Sequence, residues 1–146
     1  MTDLGVPSGP LAAGVCGWKK ALHGRAVAVN DSGAGAGSSR VGDRAAIHAV
    51  RYNAATPTDL GTLGGPNSAA LSIDNYGRIV GWSQTGDGSR HAFVYREGRM
   101  VDVNSFAAPG GGATLVEAVA INDVGQIVAN ASNGHAYLVV LPAEWR

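Results

Sequence analysis

The chain repeats one pattern three times, and this limits its fold more than any other property, because a copied unit must pack against its own copies. The segments are Ala26-Val27-Ala28-Val29-Asn30-Asp31-Ser32-Gly33, Ala70-Leu71-Ser72-Ile73-Asp74-Asn75-Tyr76-Gly77 and Ala118-Val119-Ala120-Ile121-Asn122-Asp123-Val124-Gly125. Their closing glycines lie 44 and 48 residues apart. His48-Ala49-Val50, His91-Ala92-Phe93 and His135-Ala136-Tyr137 follow, at spacings of 43 and 44. An acidic tag is the third marker: Thr2-Asp3-Leu4-Gly5, Thr58-Asp59-Leu60-Gly61 and Val101-Asp102-Val103-Asn104. The period is about 44 residues.

The middle copy shows what one unit is. Leu71 and Ile73 point to one side of a strand, and Asp74-Asn75-Tyr76-Gly77 places polar residues before a glycine free to take positive φ, the pattern of a type I turn with a bulge. Arg78 to Ser83 is a second strand, Thr85-Gly86-Asp87-Gly88 a second turn, and Arg90 to Arg96 a third strand rich in β-favouring Phe93, Val94 and Tyr95. After Glu97-Gly98, Arg99 to Val103 forms a fourth. No helical period competes. The expected units are 26–61, 69–103 and 116–141, with 6–25 unassigned. In the first unit, Ala34-Gly35-Ala36-Gly37-Ser38 is weak strand material, since glycine packs nothing.

The stretch Asp59-Leu60-Gly61-Thr62-Leu63-Gly64-Gly65, followed by Ser68-Ala69-Ala70, Ile73, Gly77, Ile79-Val80-Gly81-Trp82-Ser83 and His91-Ala92-Phe93, resembles the HAF repeat of bacterial, often predicted extracellular, proteins. Residues 57 to 103 carry the strong match. The third copy keeps Ile121-Asn122, Gly125, Ile127-Val128 and His135-Ala136, and the first keeps Asn30, Gly33 and His48-Ala49. The resemblance implies repeated β-units of propeller-blade type and brings no catalytic residue. It also implies an extracellular setting, although the first 25 residues lack the charged start and apolar stretch of a signal peptide.

Four strands in about 40 to 45 residues is the size of a propeller blade. The chain has 22 glycines and 24 alanines among 146 residues, so its sheets can approach closely. Three blades cannot encircle an axis. The last copy stops short of a fourth strand, and Thr2-Asp3-Leu4-Gly5 matches one; in a two-fold homodimer each chain's residues 1–5 complete the other's third blade, giving six. The alternative is a β-trefoil, also three units of four strands, against which stand only two Phe, two Met and three Trp to fill a central barrel. A sandwich or prism is a remoter possibility.

The 11 basic and 11 acidic residues cancel, which argues against nucleic acid as a partner. No run approaches the roughly 20 apolar residues of a membrane helix. The single cysteine, Cys16, excludes an intrachain disulfide or a cysteine zinc site. His48, His91 and His135 lie in separate copies and are expected to bond neighbouring turns rather than share a metal. Asn30-Asp31, Asp74-Asn75 and Asn122-Asp123 are expected to cap hairpin turns through their own backbone rather than bind calcium. Gly64-Gly65 and Gly110-Gly111-Gly112 read as flexible connectors; neither is followed by the Lys-Ser or Lys-Thr of a phosphate loop. No nucleophile elbow or His-Glu-x-x-His motif is present.

Trp82 beside Ser83 and Gln84 is a candidate sugar-stacking ring, and with Asp87, Arg90 and His91 it makes the middle unit the best place to look for a ligand site. A core position is the plainer role for Trp82, Trp18 and Trp145. The composite expectation is a non-catalytic binding or scaffolding protein, needing no cofactor, for a protein, glycan or surface. The alternatives are a hydrolase-like enzyme with its site at the axis, using Asp59 or Asp102, and a purely structural module.

Overall fold

The computed structural model describes residues 24–41, 46–53 and 56–145. The opening tag 2–5 and residues 6–23 of the unassigned stretch lie outside them. The protein is all-β: β1 (Gly24–Val29), β2 (Gly35–Arg40), β3 (Ile47–Asn53), β4 (Thr56–Gly61), β5 (Gly64–Ile73), β6 (Ile79–Thr85), β7 (Arg90–Arg96), β8 (Arg99–Asp102), β9 (Leu115–Ile121), β10 (Gln126–Ala131) and β11 (Ala136–Val140). Two single 3₁₀ turns, Val103–Ser105 and Ala143–Trp145, follow β8 and β11. The strands form three antiparallel sheets, β1-β2-β3-β4, β5-β6-β7-β8 and β9-β10-β11, each with neighbours in chain order. None closes into the barrel on which a trefoil is built.

Each sheet opens with the same hairpin. Gly33, Gly77 and Gly125 take φ of 84°, 80° and 84°. Their N–H groups donate to the carbonyls of Asn30, Asp74 and Asn122 at 3.1, 3.2 and 3.1 Å. A register shift recurs just beyond, between Ala26 and Ala28, Ala70 and Ser72, and opposite Val128 and Ala129.

Three expectations are corrected here. Gly64-Gly65 is no flexible connector, and the second unit begins before residue 69, because both glycines open β5. Gly65 is wedged so tightly that a Cβ would lie 2.6 Å from the Thr85 carbonyl oxygen. Pro66, which has no N–H for a ladder, falls where the β5–β6 register is interrupted between Gly64 and Ser68, so it breaks no bond there. The unassigned stretch is also shorter than expected, since Gly24 and Arg25 belong to β1.

Successive sheets pack face to face. Ala36, Ala49 and Leu60 of the first meet Ala70, Ile73, Ile79 and Phe93 of the second. Val80, Ala92 and Val94, from the opposite face of the second, meet Leu115, Ala118, Ile127 and Ala129 of the third. The middle sheet is covered on both sides, so Ala92-Phe93-Val94 is buried without the polar alternation of a half-exposed strand. Alanines at both joints let the backbones approach, and this is where much of the unusual composition is used.

Candidate functional site

Of the four residues singled out in the second unit, Trp82 and Arg90 are in contact, and Asp87 lies within reach of the His91 charge. Trp82 on β6 is capped by Arg90, whose guanidinium carbon stands 3.7 Å from the ring centre, a cation–π contact. Trp82 also lines a cavity of about 420 Å³ with Arg25, Ile47, Asn67 and Leu71. Asp87 and His91 are not among its lining residues. Asp87 sits in the β6–β7 turn, accepting from the Thr85 hydroxyl and, at 3.0 Å, from the Ser89 N–H. Those bonds, the Thr85 hydroxyl first, push its carboxyl down to about 2.

His91 faces a carboxylate: its Nδ1 lies 2.6 Å from Asp102 Oδ2. His48 Nδ1 lies 2.9 Å from Asp59 Oδ1 in the same way. The partner is therefore the acidic tag on the next strand, not the expected turn. The His and Asp markers are one device, built twice by the β3–β4 and β7–β8 pairings. Each carboxylate also accepts from a backbone N–H two residues on, Gly61 at 2.8 Å and Asn104 at 2.9 Å. Burial pushes the Asp59 carboxyl up, but the His48 bond, the Gly61 N–H and the His48 charge together bring it below its ordinary value. The third histidine stacks at a tilt on Tyr137, 6.4 Å between centres, and among the described residues no carboxylate pairs with it.

Ser83 is directly opposite His91 across β6–β7, which gives Ser, His and Asp in a row. The serine is not presented as a nucleophile. It is buried, its hydroxyl donates to the Gln84 carbonyl at 3.1 Å, and it accepts from the Leu63 N–H at 2.8 Å.

The acid–amide pairs cap their turns as expected and also join the sheets. Asn30, Asp74 and Asn122 each accept N–H groups from their own turn: Ala34 at 3.0 Å, Arg78 at 2.9 Å and Gln126 at 2.9 Å. One residue on, Asn75 lies between two carboxylates. Its amide donates to Asp31 at 3.0 Å and to Asp123 at 2.7 Å, its carbonyl accepts the Asp31 N–H at 2.7 Å, and its own N–H reaches Asp123 at 2.8 Å. This acid–amide–acid ladder was legible in the order of the pairs, Asn-Asp, Asp-Asn, Asn-Asp, and was missed because each pair was read within its own turn. Beneath it, buried Arg78 bonds Asp74 Oδ2 at 2.5 Å, the Trp145 carbonyl at 2.8 Å and the Asp123 carbonyl at 3.0 Å. Among the described residues no three His, Cys, Asp or Glu side chains gather as a metal site. No helix there is long and apolar enough to cross a membrane.

Acid should loosen this network. The Asp123 carboxyl is held below its ordinary value, first by the Asn75 N–H and then by the Asn75 amide, and Asp59 and Asp87 are lowered too. A carboxyl lowered by folding lends stability above its unfolded pKa and loses it as pH falls through the folded value. The urea midpoint should be level above about pH 5 and fall between roughly pH 4 and 2. A midpoint as high at pH 2.5 as at pH 7 would contradict these assignments.

A second recess, of about 520 Å³, is lined by Arg51, Tyr76, Arg78, Tyr95, Arg96 and Trp145, with Glu97 and Glu144 also on its wall. No protein-family model matches the chain, and no curated protein or solved structure matches it either.

Proposed function

We propose that the chain is a non-catalytic binding and scaffolding module built from HAF-type repeats, with its sheets as propeller-type blades, and that it works as a homodimer. One observation carries the dimer. In the second sheet Val80 and Val94 are buried beneath the third sheet, whereas their counterparts in the third, Val128 and Leu138, are 40% and 63% exposed. With Val140 they form an apolar stripe on the outer face of the last sheet. That stripe repeats the surface that receives a neighbouring sheet, so a sheet of a second copy is the occupant that fits. A two-fold contact between third sheets is preferred to a head-to-tail ring of six blades, because the first sheet's opposite face already has Val50 and Tyr52 buried.

The edge of β11 supports the same reading. Among the described strands, β11 pairs only with β10. Residues Thr2-Asp3-Leu4-Gly5 of the second copy would supply both the fourth strand and, in Asp3, the carboxylate that His48 and His91 already have. Light scattering should give twice the chain mass, and Val128→Asp with Leu138→Asp should give folded monomers. A monomeric parent at micromolar concentration would overturn the dimer. Turnover of a substrate that is lost on changing Asp59 or Asp102 would reverse the non-catalytic reading.

A further inference from the structure

We propose that the recess beside the turn ladder binds a carboxylated sugar, with the Arg51 guanidinium as its anion fork. Its volume, about 520 Å³, lies within the roughly 300–1,000 Å³ of small-molecule sites. Three arginines line it, and two are engaged. Arg78 is held by Asp74 and two carbonyls. Arg96 reaches Glu97 at 3.2 Å and lies over the Trp145 ring at 4.9 Å. Arg51 is different: its Nε is buried with no hydrogen-bond partner, the only buried side-chain polar atom so left among the described residues. Buried guanidinium N–H groups are normally satisfied, and a carboxylate matches their forked geometry.

The rest of the wall selects the kind of carboxylate. Tyr76, 74% exposed, and Tyr95 offer rings on which the C–H face of a sugar stacks, and their hydroxyls suit sugar hydroxyls. Glu97 and Glu144 keep the wall from being strongly cationic, which favours a uronate, with one charge on each ring, over the concentrated charge of a phosphate. The proposal deepens the binding reading above by naming a ligand class, and it does not depend on the dimer.

The test titrates the full chain with digalacturonate, with a neutral disaccharide and with inorganic phosphate, by calorimetry and Trp fluorescence. Digalacturonate should bind saturably, at least roughly tenfold tighter than the neutral sugar. Arg51→Gln should weaken it by roughly tenfold or more. Tyr76→Ala, at an exposed position, should weaken it several-fold and serves if the Arg51 variant does not fold. Absence of saturable binding, equal affinity for the neutral sugar, phosphate binding as tightly as the uronate, or affinity unchanged in these variants would overturn the proposal. Light scattering on the same samples separates the two readings: a dimer that ignores digalacturonate sinks this site alone, and a monomer that binds it sinks only the dimer.

Discussion

Asp74→Ala should destabilise the fold by about 3–5 kcal/mol, the usual cost of removing one partner from a buried ion pair. Asp74 and Arg78 are 3% and 4% exposed and 2.5 Å apart, so alanine leaves a guanidinium in the interior without its counter-charge. The same change removes the acceptor for the Tyr76 and Arg78 N–H groups, at 3.0 and 2.9 Å, and opens the turn. Arg78 also ties the turn to the carbonyls of Asp123 and Trp145, so the damage should spread to the third sheet. Changing both residues, Asp74→Ala with Arg78→Met, should recover part of the loss, because no orphaned charge remains. Urea unfolding of the three proteins measures this; a single variant within about 1 kcal/mol of the parent would show that the pair does not anchor the turn.

Gly81→Val should cost about 3 kcal/mol or more, a melting-temperature fall of roughly 10 °C in a chain of this length. A Cβ at Gly81 would lie 2.0 Å from the Ala69 carbonyl oxygen and 2.9 Å from the Ala70 Cα. Those are backbone atoms of the adjacent strand, so β5 and β6 must separate. Gly77→Ala is the informative contrast. It meets no atom within 4 Å and is penalised only for φ of 80°, about 1–2 kcal/mol. A calorimetric scan in which the two variants melt together would show that close approach at Gly81 is not what the sheet requires. The third sheet carries alanine at the matching position, Ala129, against Ala118.

The repeat made the strands and hairpins readable, since polar pairs ahead of Gly33, Gly77 and Gly125 fix the turns whatever surrounds them. Breakers misled where packing outweighed local preference. Gly64, Gly65 and Pro66 look like a loop, yet Gly65 is there because the Thr85 carbonyl leaves no room for a side chain. Gly35 to Gly37 is weak strand material by local preference, yet β2 forms as an interior strand of its sheet, and a Cβ on Gly37 would strike the Arg25 carbonyl oxygen at 1.8 Å. The second recess was illegible for a different reason. Asp87 and His91 were grouped with Trp82 by nearness in sequence, while the recess draws Arg51, Tyr95 and Trp145 from three separate stretches. Only the stacking of sheets brings those together, and no local pattern records it.

The alternation of acid and amide at Asp31, Asn75 and Asp123 restricts how such a chain can lengthen. A unit with Asp at this position, duplicated without change, would set two carboxylates against each other at the new joint, whereas a second copy of the Asn75 unit would keep a bond, because one amide's N–H donates to the other's carbonyl. The position thus tolerates an added amide and resists an added carboxylate, and an extra Asp-bearing unit would need an Asp-to-Asn exchange at its joint.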